Sequence, residues 1–182
     1  IRWRLVTGEY WCRLIMAKCR IAPLSKLSTP QMELNAAVLS KRGRKVIEKE
    51  TRFKFEKTLQ IVDSETVLAM IQKSSHRFNV YYGVRLGEIQ AATDGDVSCW
   101  AWLPGSENIA DWTTRGKSPH ELGSNSEWWN GPALLYSSIE KWGLHTEAQQ
   151  EILPGEKKVL KSQVNLVHTE LSLVDYSHYS SF

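Results

Sequence analysis

The chain is short of cysteine, of long apolar runs and, in its first third, of acidic residues. Only Cys12, Cys19 and Cys99 are present. An odd number with no C-x-x-C pair argues against a disulfide framework and a cysteine-based zinc site, and suits a reducing compartment. The five histidines, His76, His120, His145, His168 and His178, show no paired ligand spacing and no neighbouring cysteine, so they do not supply a zinc site either. No window approaches the roughly 18 uninterrupted apolar residues of a spanning helix. The opening Ile1-Arg2-Trp3-Arg4 lacks the charged-then-apolar layout of a secretion signal. The chain therefore reads as soluble and unexported, with no membrane partner.

What is present is 182 residues, 42% apolar and 24% charged. That composition excludes full-length disorder and a collagen-like chain, and fits one globular domain plus an appendage. The net charge of +3 hides an asymmetry: residues 1–60 hold fourteen Lys/Arg against five Asp/Glu, and the remainder nine against fifteen. A basic part joined to an acidic part implies a surface for a polyanion beside carboxylates used for something else, the bland alternative being a solvated helix face.

Ile1–Val6 and Tyr10–Arg20 read as two strands of a hairpin turning at Thr7-Gly8-Glu9. The chain thus starts inside a strand, which predicts further sequence upstream. Ser28-Thr29-Pro30-Gln31 offers hydroxyl caps, a proline near the first helical position and a glutamine able to close a capping box. The helix should run from about Pro30 to Ile47, with Met32, Ala36, Val38 and Leu39 inward, a basic end at Lys41, Arg42, Arg44 and Lys45, and Gly43 as a kink or stop. Phe53–Val62 reads as an extended segment entering the core and ending at Asp63. Ser64 then caps a helix carrying Val67, Leu68 and Ile71 on one face. A further helix is expected over about Val80–Ala92, a strand over Val97–Leu103, a turn at Pro104-Gly105 and a short helix from Asn108 to Arg115 closed by Gly116. The domain is placed at residues 1–143, with 144–182 as a connector. Trp100 and Trp102 lie on one face of the core strand, and Trp128, Trp129 and Trp142 are expected to seal the far end, so packing rather than base stacking is the reading for these rings.

Three carboxylates stand out by position: Glu33 in the first turn of a helix, Asp63 at the carboxyl end of a buried strand, and Asp111 in the first turn of a late helix. Each has a plain explanation, since acidic residues complement helix N-termini. Jointly they say more. Helix starts and strand ends that share one edge of a mixed sheet bring distant residues into one cluster, and clustered carboxylates repel unless cations lie between them. Hard oxygen donors select Mg²⁺ or Mn²⁺, and two such ions about 3.5–4 Å apart suit phosphodiester hydrolysis.

The runs Leu27-Ser28-Thr29-Pro30-Gln31-Met32-Glu33-Leu34-Asn35-Ala36-Ala37, Val62-Asp63-Ser64-Glu65-Thr66-Val67-Leu68, Arg85-Leu86-Gly87-Glu88-Ile89-Gln90, Glu107-Asn108-Ile109-Ala110-Asp111-Trp112-Thr113-Thr114-Arg115-Gly116 and Trp128-Trp129-Asn130-Gly131-Pro132 occur in this order. Over roughly residues 1–142 the chain resembles the ribonuclease H region of BEL/Pao-type retrotransposon Pol polyproteins. The family also goes under the label "Pao retrotransposon peptidase", but no Asp-Thr-Gly or Asp-Ser-Gly triplet stands here, and the residues do not support aspartic-protease chemistry.

The resemblance implies an α/β fold, an RNase H-like mixed sheet flanked by helices, whose site is four carboxylates holding two Mg²⁺ (or Mn²⁺) ions. Glu33 matches the second carboxylate, Asp63 the third and Asp111 the fourth; the first belongs to a strand expected before Ile1. The implied reaction is endonucleolytic hydrolysis of the RNA strand of an RNA/DNA hybrid during reverse transcription, with Asp111 on the nucleophile side and Glu33 and Asp63 on the leaving-group side, and it should be impaired in a chain without the first strand. Arg42, Arg44 and Lys45 are the candidate phosphate contacts, and 2′-hydroxyls in the wide minor groove would distinguish RNA. Gln31, where relatives carry arginine, and Tyr82-Gly83-Val84-Arg85, where they carry Val-Ala-Asn-Arg, depart from the family pattern. Implied partners are the hybrid and the reverse transcriptase and integrase regions of the parent polyprotein. The implied location is a cytoplasmic retroelement particle, or the nucleus with the integration complex. The alternative is a catalytically inactive RNase H-like nucleic-acid-binding or interaction module, a truncated or domesticated copy.

Overall fold

A computed structural model describes residues 1–157 except Ser25, Asp94, Gly95 and Glu151. Of the expected connector, residues 158–182 lie outside the described residues. Strands β1 (Arg2–Arg4) and β2 (Tyr10–Cys12) form an antiparallel hairpin with Trp3 opposite Trp11. Gly8, at φ 92°, makes the turn. Helix α1 (Thr29–Glu50) is followed by β3 (Gln60–Val62), α2 (Glu65–Gln72), α3 (Val80–Gln90), β4 (Trp100–Trp102) and the short α4 (Glu127–Asn130). β3 and β4 pair in parallel, Gln60 with Trp100 and Val62 with Trp102, so α2 and α3 form the crossover between them. Among the described residues the sheet content is thus two separate pairs, one antiparallel and one parallel, a mixed α/β arrangement consistent with an RNase H-like fold.

Local chemistry explains where the helices begin. The Ser28 N–H donates to Gln31 Oε1 at 2.9 Å, and Pro30 sits in the first turn of α1. Ser64 Oγ accepts from Val67 N at 3.3 Å at the start of α2, and Asn79 Oδ1 accepts from Tyr81 N at 3.1 Å at the start of α3. Each satisfies backbone donors that a first turn leaves free. α1 runs through Gly43 without stopping and ends only at Glu50. A Cβ at Gly43 would lie 3.0 Å from Met16 Cε, so the glycine admits the segment that trails β2 close to the helix.

The core forms where α1, α2 and α3 meet the β3–β4 pair. α2 is buried nearly all round, from Val67 to Ile71. Leu34, Ala37, Val38, Phe78, Tyr82, Leu86, Ile89 and Trp100 close over it. The inward face of α1 is therefore Leu34, Ala37, Val38 and Lys41, rather than the expected Met32, Ala36 and Leu39; Met32 is exposed. Both sets have helical spacing, and docking against α2 and α3 selects between them.

Residues 144–157 pack on the same body. His145 and Trp102 exchange two backbone hydrogen bonds of 2.9 Å and stack with ring centroids 4.5 Å apart. Leu153 is buried in the core, and Asn79 N donates to Gly155 O at 2.8 Å. Gly155 has φ 73°, and a Cβ there would fall 2.2 Å from Tyr82 Cδ2. Both the left-handed backbone and the tyrosine ring require glycine. Among the described residues no helix is long and apolar enough to cross a membrane.

Candidate acidic site and basic helix end

Because β3 and β4 are parallel, their carboxyl ends lie at the same end of the sheet, where open α/β folds place their ligands. Asp63 follows β3 directly. The chain leaving β4 stays beside it: Leu103 N donates to Val62 O at 3.0 Å, and Pro104-Gly105 turns into the 3₁₀ segment Ile109–Thr113. Asn108 caps that segment, its Oδ1 accepting from Ala110 N at 3.1 Å. Its Nδ2 donates to Asp63 Oδ2 at 2.9 Å and to Asp111 Oδ1 at 3.3 Å. One amide thus links two of the three expected carboxylates. Glu33 lies in the second turn of α1, not the first as expected, because the helix already begins at Thr29, and it reaches the same end less directly: Glu33 Oε2 accepts from the hydroxyl of Ser64 at 2.8 Å, and Ser64 is the residue after Asp63.

Asp63 is exposed, while Glu33 and Asp111 are half-buried. Arg115, one turn beyond Asp111, donates to Asp111 Oδ2 from Nε at 3.1 Å and from Nη2 at 2.5 Å. An exposed i,i+4 pair of this kind is worth about 0.3–0.5 kcal/mol. It holds Asp111 in place yet yields to a competing cation.

The oxygen donors suit Mg²⁺ or Mn²⁺ by type. Their arrangement does not make a ligand set: among the described residues no group of three His, Cys, Asp or Glu side chains is placed to hold one ion. The Asn108 amide bridges Asp63 and Asp111, Arg115 occupies Asp111, and Glu33 is turned to Ser64. The structure brings Asp63 and Asp111 together and sets Glu33 beside them, without closing a metal centre.

The basic end of α1 is largely engaged internally. Arg42 donates to both oxygens of Glu88, from Nε at 2.8 Å and from Nη2 at 2.7 Å, and the mostly buried Lys41 reaches Glu88 Oε1 at 3.2 Å. The Arg42 hydrogen bonds, with help from Lys41, hold the Glu88 carboxyl down at about 2. Arg44 pairs with Glu48 at 2.7 Å. Lys45 is exposed and makes no ion pair among the described residues.

The sequence marks Asn108 and Ser64 as helix caps, not as links between carboxylates. The Asn-x-x-Asp spacing of Asn108 and Asp111 carries a signal for the shorter link. The reach to Asp63 depends on the parallel register and has none. Trp100 and Trp142 are buried as expected, whereas Trp129 is 45% exposed.

Residues 1–64 match the family model described as the Pao retrotransposon-like RNaseH-like domain. No curated protein and no solved structure matches the chain.

Proposed function

We propose, from a chain that carries a Pao-type RNase H-like region over residues 1–64, that it is a fragment of a retrotransposon polyprotein whose acidic strand end serves hydrolysis of the RNA strand of an RNA/DNA hybrid. The observation that carries this reading is the Asn108 amide joining Asp63 to Asp111 at the carboxyl ends of two parallel strands. Mg²⁺ or Mn²⁺ is the ion class for this oxygen-rich edge. With no closed ligand set, cleavage by the chain alone is slow, while hybrid binding persists through phosphate contacts at Lys45, Arg42 and Arg44. The reverse transcriptase and integrase regions of the same polyprotein are its natural neighbours, in a cytoplasmic retroelement particle or, with the integration complex, in the nucleus.

A second reading, an RNase H-like module that binds without cleaving, is favoured by the engagement of Asp111 with Arg115 and Asn108. Cleavage of an end-labelled hybrid in Mg²⁺ or Mn²⁺, run beside Asp63→Asn, separates the two. Slow cleavage abolished by the substitution supports the first. Hybrid binding with no cleavage in either protein supports the second. Equal, negligible affinity for hybrid and for DNA duplex contradicts both.

A further inference from the structure

Directly opposed residues of an antiparallel pair project to one face of the hairpin, so Trp3 and Trp11 share a face. The other face is the inner one. Cys12 is buried there, and the Arg2 guanidinium stacks 3.5 Å from the Tyr10 ring centroid and 4.9 Å from that of Trp142. The outer face keeps its two indoles in solvent, Trp3 at 41% and Trp11 at 45% exposure. A paired tryptophan platform left open on a two-stranded ribbon is surface that packing does not account for.

Charge identifies the occupant. Residues 1–24 carry Arg2, Arg4, Arg13, Lys18 and Arg20 against the single acid Glu9. None of these five cations forms an ion pair with a carboxylate among the described residues. This contrasts with Arg42 and Arg44 of α1. Arg13 lies 5.6 Å from the Trp11 ring centroid and is steadied by Asn130 Oδ1 of α4, which accepts from its Nη1. Lys18 and Arg20 follow on the same exposed segment. A second copy of this chain would set like charge against like charge here. A single-stranded polyanion with planar bases satisfies both features, since bases stack on aromatic rings without regard to sequence while phosphates take the cations.

We propose that the outer face of the β1–β2 hairpin binds single-stranded nucleic acid, with bases stacked on Trp3 and Trp11 and phosphates on Arg13, Lys18 and Arg20. This surface goes beyond the hydrolytic reading and shares no residue with Glu33, Asp63 or Asp111. It gives the domain a holding place for an unpaired strand beside the hybrid.

The test uses the full chain and fluorescein-labelled oligothymidylate, oligouridylate and an abasic oligonucleotide of equal length. The wild type should bind the two base-bearing strands at least about tenfold more tightly than the abasic one. Trp3→Ala with Trp11→Ala should lose that preference, keeping only weak, salt-sensitive affinity, and Trp3→Phe with Trp11→Phe should restore most of it. The phenylalanine pair keeps the test valid if the alanine pair unfolds. Equal affinity for abasic and base-bearing strands would overturn the proposal. So would a double alanine variant that is folded by circular dichroism and binds oligothymidylate as the wild type does, including one whose only change is in self-association. Asp63→Asn leaves single-strand binding intact, so failure here and failure of the hydrolytic reading are read separately.

Discussion

The Asn108 side-chain amide donates to Asp63 across 45 positions of sequence, at 2.9 Å. The bond exists because β3 and β4 run parallel and deliver both residues to the same end of the sheet. The same amide touches Asp111, so a neutral donor sits where two carboxylates would otherwise repel.

Replacing that donor by an acceptor should be felt electrostatically. Asn108→Asp keeps an oxygen for the Ala110 N–H but sets a third charge between Asp63 and Asp111. The variant should lose about 2–4 °C in Tm at pH 7, corresponding to about 1 kcal/mol. The loss should shrink as salt is raised or as Mg²⁺ is added. Asn108→Ala, which removes the cap and the shared donor together, should lose about 1 kcal/mol. Thermal unfolding at low and high salt, with and without Mg²⁺, checks both.

The packing of residues 144–157 predicts a strong effect from one methyl group. Gly155→Ala places a Cβ inside the Tyr82 ring and in a left-handed backbone, and should destabilise by about 1–3 kcal/mol or more. Gly143→Ala shares the positive φ but meets nothing within 4 Å, and should cost less. Urea denaturation of the two variants measures the difference.

Glu88 makes part of the stability pH-dependent. Its carboxyl is held at about 2, chiefly by the Arg42 hydrogen bonds, against an ordinary value of about 4.5. A depressed folded-state value gives stability that is complete above the ordinary value and lost as pH falls from there toward about 2. The wild type should therefore lose more stability than Glu88→Gln between about pH 4.5 and 2, and the two should run parallel above pH 5. Partial exposure of the pair keeps the difference within about 1 kcal/mol.

Hybrid binding should depend on salt in proportion to the phosphates held. Each phosphate left without its cation lowers the slope of log affinity against log salt by about one. Lys45→Ala should remove most of the contribution of the α1 end, because Arg42 and Arg44 are already held by Glu88 and Glu48. An unchanged slope in a triple alanine variant of Arg42, Arg44 and Lys45 would remove this end of α1 from the interface. Fluorescence anisotropy at several salt concentrations provides the slopes.

Much of this was legible in the residues. Ser28, Ser64 and Asn108 announce helix starts because short polar side chains satisfy first-turn donors locally, and α1 and α2 begin where those caps stand; the Asn79 cap of α3 emerges only in the structure. Strand lengths were less legible. Tyr10–Arg20 and Phe53–Val62 read as extended along their whole length, yet only Tyr10–Cys12 and Gln60–Val62 are strands among the described residues. Pairing is a tertiary event, and alternation alone does not supply a neighbour. The exposed Trp3 and Trp11 face illustrates the same point: the antiparallel register puts the two rings on one side, and packing at Cys12 and Tyr10 decides which side is outward. Glu33, Asp63 and Asp111 were marked by position at helix starts and a strand end. The donors that reach across the fold were not: Asn108 meets Asp63, and Ser64 meets Glu33, only through the folded geometry.

The most direct test of the shared acidic edge is Mn²⁺ titration followed by nuclear magnetic resonance of the ¹⁵N-labelled chain. Paramagnetic broadening should appear first at the amides of Asp63, Ser64 and Asn108–Asp111, weaken in Asp63→Asn, and spread to α1 around Glu33 as Mn²⁺ rises. Broadening that starts elsewhere, or leaves these amides untouched, would contradict the account.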